Sequence, residues 1–260
     1  MAQVSRIGSR HNPLLVRLRK LALDSLAYRK QAQIWLEGEH LCGAYAARGR
    51  EAAQAVITEQ AWEQGGTCRE LAQQAQAIAV VPQALMAHLS GLESSAALAF
   101  AVAWPGAAPL QAGAPSIVLD RVQDAGNVGT MLRSAAAFGF NQVIALAGSA
   151  GLWSPKVLRA GMGAHFALHL VEGVDVAALA SLGVPLLAAD PHAALALHDC
   201  DLPWPCAWLF GHEGQGVSAS LLSQCAHALR IPQPGGEESL NVAAAAAVCM
   251  YESMRQRSPE

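Results

Sequence analysis

Three short stretches hold most of the residue types that could act on a small polar ligand. Ile231 to Glu252, IPQPGGEESLNVAAAAAVCMYE, puts two carboxylates and a hydroxyl (Glu237, Glu238, Ser239) into a Pro/Gly-rich loop, followed by Asn241 and an alanine-rich helix. No packed core calls for that loop, and Asn241 is well placed as an N-cap. A loop and a helix N-terminus at a strand end leave backbone N–H groups free, which is where an α/β protein tends to hold a ligand. The same residues also describe an ordinary strand–loop–helix connection. Two further stretches favour the ligand. In Leu119 to Phe140, Gly126 and Gly129 allow close backbone approach where a helix is entered at Asn127. Arg133 then stands alone on a small, apolar helix, placed either for a ligand near the strand end or for an ion pair with Asp120 or Asp124. Leu209 to Ser218 runs from a strand into the loop HEGQGVS.

The elements that must position these residues are legible as alternating patterns. Residues 33–103 alternate strand-like and helix-like pieces, QIWLEGE, HLCGAYAARG, AAQAVITEQ, CRELAQQAQ, AIAVVP, QALMAHLSG and ALAFAVAW, and form a small α/β unit. Glu37 and Glu39, on alternate positions near a strand end, read as surface residues. PGAAPLQAGAP (105–115) carries no charge and reads as a semi-rigid linker that lets the first domain swing, so the chain divides into domains 1–105 and 115–260. The second domain opens on the buried strand SIVLD. It continues through QVIALA, SPKVLRAGMGA, HFALHLV, VAALASLG, VPLLAAD, CAWLFG, SASLLSQCAH and ALRIP to the final helix, a pattern that predicts a mostly parallel sheet covered on both faces.

Composition narrows the function classes. The chain has 260 residues, 53% apolar and 14% charged, which suits two modest soluble domains. No run reaches the roughly 18 apolar residues of a membrane helix, and MAQVSRIGSRHN lacks the apolar core of a signal peptide. The six cysteines have no C-x-x-C pair and read as reduced, mostly buried residues of a cytoplasmic protein. His165 and His169 fall on one face of a strand in HFALHLV, but no third ligand is near and no metal is expected. The absence of G-x-G-x-x-G, G-x-x-x-x-G-K-[ST] and G-x-S-x-G weighs against dinucleotide oxidoreductases, P-loop NTPases and α/β-hydrolases. Net charge is only −3, yet seven of the seventeen basic residues, Arg6, Arg10, Arg17, Arg19, Lys20, Arg29 and Lys30, lie in the first thirty positions with only Asp24 against them. That asymmetry points to phosphate contact at this end. A solvated helix face with Leu14, Leu18, Leu21 and Leu26 packed inward is compatible with it.

LDRVQDAGNVGTMLRSAAAFGF, LFGHEGQGVS and IPQPGGEESLNVAAAAAVCMYE, in that order, resemble the three motifs of the SpoU (TrmH) family of RNA ribose 2′-O-methyltransferases, within the SPOUT superfamily. The resemblance runs from about Ser116 to the C-terminus and includes SPKVLRAGMGAHF between motifs one and two. SRHNPLLVRLRKL and WLEGEHL resemble the L30e-like substrate-binding domain that precedes the catalytic domain in many members. The resemblance implies a trefoil-knotted α/β domain, a homodimer formed through it, and S-adenosylmethionine as cofactor. Carried over by position, backbone atoms of Gly211, Ile231 and Leu240 hold the adenosine part, while Asn127, Arg133, Glu213, Ser239 and Asn241 form the catalytic surface.

Those residue types suit the chemistry. A ribose 2′-hydroxyl is a weak nucleophile that must lose its proton while it attacks a sulfonium methyl in line, so positioning groups, a proton acceptor and a hold on the adjacent phosphate are needed. Arg133 offers a bidentate fork for phosphate. A guanidinium holds its proton too tightly to be a ready base, so a phosphate acting through or with Arg133 is easier to defend as the acceptor. Asn127, Ser239 and Asn241 orient by neutral hydrogen bonds, and Glu213 orients them without proton transfer. Departures from the family pattern are His212 where Asn is common, Ala125 where Pro is common and Gln233 where Met is common. The expected substrate is structured RNA, ribosomal rather than transfer RNA. The alternative is an inactive RNA-binding or ribosome-assembly protein that keeps the fold, and cofactor binding separates the two.

Overall fold

Apolar runs too short for helices and too continuous for one-sided strands set the architecture. The computed structural model describes residues 3–91, 94–236 and 240–257, so Glu237, Glu238 and Ser239 lie outside the described residues. The chain forms two compact units, one of residues up to Gly106 together with Trp153–Phe166, the other of Ala107–Leu152 together with Ala167 onward.

The first unit runs β1 (Gln3–Arg6), α1 (Pro13–Leu23), α2 (Ala27–Gln31), β2 (Gln33–Glu37), α3 (Glu39–Ala46), β3 (Gln54–Thr58), α4 (Glu59–Gln64), α5 (Thr67–Ala72), β4 (Ala77–Val81), α6 (Gln83–Leu89) and β5 (Leu98–Ala103). Its sheet has the order β1-β4-β3-β5-β2, with β1, β4 and β3 parallel and β5 antiparallel to both β3 and β2. Asn12 caps α1 by accepting from Leu14 N–H at 2.9 Å, and Pro13 needs no donor at the first helical position. The buried face of α1 is Leu15, Leu18, Leu21 and Ala22. Leu14 is only half-buried and Leu26 is exposed, because Leu26 sits in the turn that starts α2.

The second unit begins with β6 (Ser116–Asp120), α7 (Ala125–Phe138) and β7 (Gln142–Leu146). The chain contributes α8 (Pro155–Gly161) to the first unit, then resumes the second with β8 (His169–Val174), β9 (Leu186–Ala189), β10 (Leu195–Ala196), β11 (Ala207–Gly211), α9 (Ala219–Leu222), β12 (His227–Arg230) and α10 (Val242–Arg257). The strand order is β10-β12-β9-β11-β6-β7-β8, and every pairing is parallel. The expected α/β fold with a mostly parallel sheet is borne out. β6, β7 and β11 are buried at every residue, as strands covered on both faces must be. Helix α10 packs on α7 and β11, with the Trp208 indole N–H donating to the buried Ser253 hydroxyl at 2.9 Å.

Three expectations need correction. SPKVLRAGMGAHF falls within 115–260, yet Trp153–Phe166 packs with the first unit. The reason is close contact: at Gly163 (φ +88) a Cβ would stand 2.9 Å from Ala44 Cβ, Arg48 Nη1 donates to Phe166 O at 2.6 Å, and Arg159 lies 3.6 Å from the Glu37 carboxylate. Glu37 is therefore buried rather than a surface residue, and it also accepts from the Ser90 hydroxyl. His165 and His169 do not share a strand face, since His165 is buried in a 3-10 turn while His169 opens β8 with Nε2 2.6 Å from Pro109 O. Among the described residues, no group of three His, Cys, Asp or Glu is placed to hold a metal ion.

The linker is not free either. Ala108 and Leu110 pack on the core of the second unit, and Gly113 N–H donates to Leu182 O at 2.8 Å. Gln142 is fully buried because its side chain accepts from Gln111 N–H at 2.8 Å and donates to Gln111 O at 3.2 Å and to Ser116 Oγ at 2.8 Å. A Gln142→Leu variant should lose about 1–3 kcal/mol, the cost of orphaning those groups, seen as a lower urea midpoint. A wild-type midpoint would show that the strap is not tied there.

Candidate active site

The loops that follow β6, β9, β11 and β12 all leave the carboxyl edge of one parallel sheet, where open α/β folds place ligands. β11 and β6 are neighbours, with Gly211 opposite Asp120. Motifs far apart in sequence thus emerge side by side.

A directional chain of hydrogen bonds joins them. Asn241 Oδ1 caps α10, accepting from Ala243 N–H at 2.9 Å and Ala244 N–H at 3.3 Å. That commitment leaves Asn241 Nδ2 only as a donor, and it donates to Asn127 Oδ1 at 3.0 Å. Asn127 Nδ2 must then find an acceptor, which is Glu213 Oε1 at 3.2 Å. The same oxygen accepts from Asp124 N–H at 3.2 Å, while Asp124 Oδ1 caps α7 through Asn127 N–H at 2.7 Å. Helix α7 therefore starts at Ala125, two residues earlier than expected. Burial pushes the Glu213 carboxyl up, but these donors outweigh it and hold it below the usual carboxylate range. Its folded-state value is depressed, so this docking stabilises the fold above the ordinary carboxylate range and is lost as pH falls through the folded value.

A second clasp holds the loop after β11. Arg121 sits in the left-handed region (φ 60) and forks onto its neighbour Asp120, Nε to Oδ1 at 3.1 Å and Nη2 to Oδ2 at 3.2 Å. Its Nη1 donates to Gln215 Oε1 at 2.8 Å and its Nη2 to Gly216 O at 3.4 Å, while Ser218 N–H donates to Asp120 Oδ2 at 2.8 Å. Burial pushes Asp120 up, but the Arg121 fork and the Ser218 donors hold its carboxyl low. Gly211 is required for packing: a Cβ there would meet Gly216 C at 2.0 Å. His212 closes the loop by accepting from Gly214 N–H on Nδ1 at 3.0 Å, the bond an Asn side chain would make in the same turn.

The loop walls a cleft of about 430 Å³, with Gly211, Glu213, Asp190 and Leu240 among its lining. An adjoining hollow of about 70 Å³ is lined by Ile231, Leu240 and again Asp190. The three backbone positions expected to hold an adenosine thus border two hollows that share Asp190 and Leu240. Asn127, Glu213 and Asn241 come together as one cluster. Arg133 does not join it. Arg133 is exposed, lies about 9 Å further along α7, and makes no hydrogen bond or ion pair among the described residues, so neither Asp120 nor Asp124 claims it. Ser239 lies outside the described residues. Arg121, Gln215 and Asp190 were not singled out in the sequence, and Asp120 only as a possible partner of Arg133. The charged pair opening motif one was the available signal for Asp120 and Arg121.

The basic N-terminal residues have partners that the sequence does not reveal. Arg6 lies 3.8 Å from Glu59 and 3.6 Å from Glu63, Arg17 donates to Gln33, Arg29 sits 5.4 Å over the Tyr28 ring, and Arg19 Nε donates to His88 O at 3.2 Å.

Comparison with known proteins agrees with the motif reading. Residues 114–251 match the family described as the SpoU rRNA Methylase family. A protein of Synechocystis sp. described as an uncharacterized tRNA/rRNA methyltransferase is 33% identical over 98% of this chain and 96% of its own length. The 23S rRNA (guanosine-2′-O-)-methyltransferase RlmB of Bordetella pertussis is 37% identical over 54% of this chain, which spans 59% of that relative. The SpoU methyltransferase AviRb of Streptomyces viridochromogenes, solved with S-adenosylmethionine, shares the fold with a TM-score of 0.85, at 23% identity over 95% of this chain and 98% of its own.

The directional chain makes a sharp prediction. Asn127→Asp sets a carboxylate against Glu213 and should melt lower at neutral pH than Asn127→Ala, which only removes the bridge, by about 1–2 kcal/mol in stability. The gap should close in acid as one carboxyl takes a proton. If the two variants melt together at neutral pH, the Asn127 amide does not face Glu213.

Proposed function

The chain belongs to the SpoU rRNA methylase family of S-adenosylmethionine-dependent RNA methyltransferases, and we propose that it methylates a ribose 2′-hydroxyl in structured ribosomal RNA. The carrying observation is that Glu213 belongs both to the Glu213–Asn127–Asn241 chain and to the cleft wall. An orienting polar cluster thus borders a space of ligand size.

The cleft suits S-adenosylmethionine in its donor set. Val217, Leu240 and Phe210 offer apolar surface for a purine, the glycine-rich loop 211–216 offers backbone polar groups, and Asp190 offers a carboxylate for hydroxyl or ammonium donors. Backbone atoms of Gly211, Ile231 and Leu240 hold the adenosine part in this reading. The cofactor supplies an electrophilic methyl carried on sulfonium. Asn127 and Asn241, with Ser239, orient the attacking hydroxyl. Glu213, ionised and accepting from two donors, fixes the Asn127 amide and takes no proton. Arg133, without a partner among the described residues, grips the phosphate beside the reacting ribose with its planar fork.

The finer architecture belongs to the same proposal. A trefoil knot is supported by β12 lying beyond β9 while α10 returns to pack on β11 and α7. Homodimerisation is supported by Val248 and Tyr251, large apolar side chains exposed on α10. The first unit acts as an L30e-like RNA-binding domain, the second carries the catalytic site, and the enzyme works in the cytoplasm.

Transfer of radiolabelled methyl from S-adenosylmethionine to ribosomal RNA tests the assignment. Arg133→Ala should lower kcat at least a hundredfold with cofactor affinity within twofold of wild type, because its contact is made in the transition state. Arg133→Lys should stay near the Ala variant, since a point charge cannot reproduce the fork. Recovery of most of the rate by Lys would overturn the bidentate role.

A further inference from the structure

The outward face of α1 mixes two chemistries that a solvated helix would keep apart. Val16, Arg19, Lys20 and Leu23 follow one another at i, i+3, i+4 and i+7, so they form one stripe. Val16 is 55% exposed and Leu23 is 46% exposed, although the opposite face of the same helix is fully packed. The stripe forms one wall of a groove of about 630 Å³ in the first unit, completed by Arg10 and His11 before the helix and His88 of α6. Asp24 is its one carboxylate among the described residues, and that side chain already caps Leu26 N–H at 2.9 Å. Arg19 is steadied by its Nε bond to His88 O and keeps its terminal nitrogens for a ligand, while Arg10 Nε leans on His11 Nε2 at 3.3 Å. The other basic residues of this end do not line the groove, and Arg6 faces Glu59 and Glu63 instead.

We propose that this groove is a binding site for an unpaired RNA segment, with phosphates on Arg10, Arg19 and Lys20 and bases or riboses against Val16 and Leu23. The inference rests on the reading of the chain as an RNA methyltransferase and refines it. It replaces a diffuse footprint of seven cations with a three-cation site. Charge alone would accept any polyanion, and the exposed aliphatic pair decides between them. A duplex presents phosphates with its bases stacked away, whereas an unpaired strand offers apolar faces between its charges. The site therefore selects looped or single-stranded RNA.

The test uses the full chain and a single-stranded RNA of about 12 nucleotides, with the matching duplex as comparison, by fluorescence anisotropy over a salt series. Replacing Arg10, Arg19 and Lys20 together by Ala should weaken single-strand binding at least tenfold. It should also reduce the slope of log affinity against log salt by about 2, at roughly 0.7 per lost contact. Val16→Ser with Leu23→Ser should weaken binding about fivefold or more and leave the slope unchanged, because no phosphate contact is lost. Arg6→Ala and Arg29→Ala should each stay within twofold. All these side chains are exposed, so melting temperatures should hold and any loss reads as binding. Equal losses from the Arg6 variant, or wild-type affinity and slope in the triple variant, overturn the site. An unchanged Val16/Leu23 variant or a preference for duplex overturns the unpaired-strand assignment. Unchanged RNA binding with lost binding to polyglutamate assigns the groove to an acidic protein surface instead. Methyl transfer by the wild-type chain, measured in parallel, keeps these outcomes separate from failure of the enzyme assignment.

Discussion

The helix cap at Asn241 is the interaction from which the rest of the site follows. Capping α10 uses the side-chain oxygen, so the amide nitrogen can only donate. That single constraint sets the orientation of Asn127 and then calls for an acceptor, which Glu213 supplies. A local requirement of one helix, worth about 1 kcal/mol in itself, thereby fixes three loops that are distant in sequence. It also fixes the ionisation of Glu213, which accepts from two donors and is the wrong partner for a proton.

Around that chain, the sheet supplies placement and the glycines supply closeness. Parallel pairing of β11 with β6 sets Gly211 opposite Asp120, and only a glycine lets the following loop fold back against that strand end. The Asp120–Arg121 clasp then holds the returning arm of the loop through Gln215, Gly216 and Ser218. Arg121 accepts a left-handed backbone, which costs a non-glycine residue about 1 kcal/mol or more, and in return spans both sides of the loop mouth. A cleft wall tied at two places by charge-assisted bonds is preorganised for a ligand rather than shaped by it.

What the sequence made legible was local. The N-cap role of Asn241, the strand and helix alternation in both units and the parallel sheet depend on short-range pattern, and they appear in the structure as expected. The grouping of Asn127 with Glu213 and Asn241 came from motif resemblance, because nothing in residue spacing says that β11 and β6 are neighbours. Non-local contacts also account for the misses. Glu37 reads as a surface residue until Arg159 and Ser90, both distant in the chain, are brought against it. Gln111 reads as linker until Gln142 ties its backbone to the second unit. Leu26 reads as helical core until the turn before α2 is seen to expose it.

The central claim is that this orienting cluster serves attack by a ribose hydroxyl and not by a base nitrogen. A 2′-O-methyl group removes the internal nucleophile that cleaves RNA in alkali, so the linkage after a modified ribose survives. The direct measurement is alkaline hydrolysis of ribosomal RNA methylated by the purified chain with radiolabelled S-adenosylmethionine, followed by separation of the products. The account predicts label in alkali-resistant dinucleotides. Label recovered in single nucleotides carrying a methylated base would contradict it.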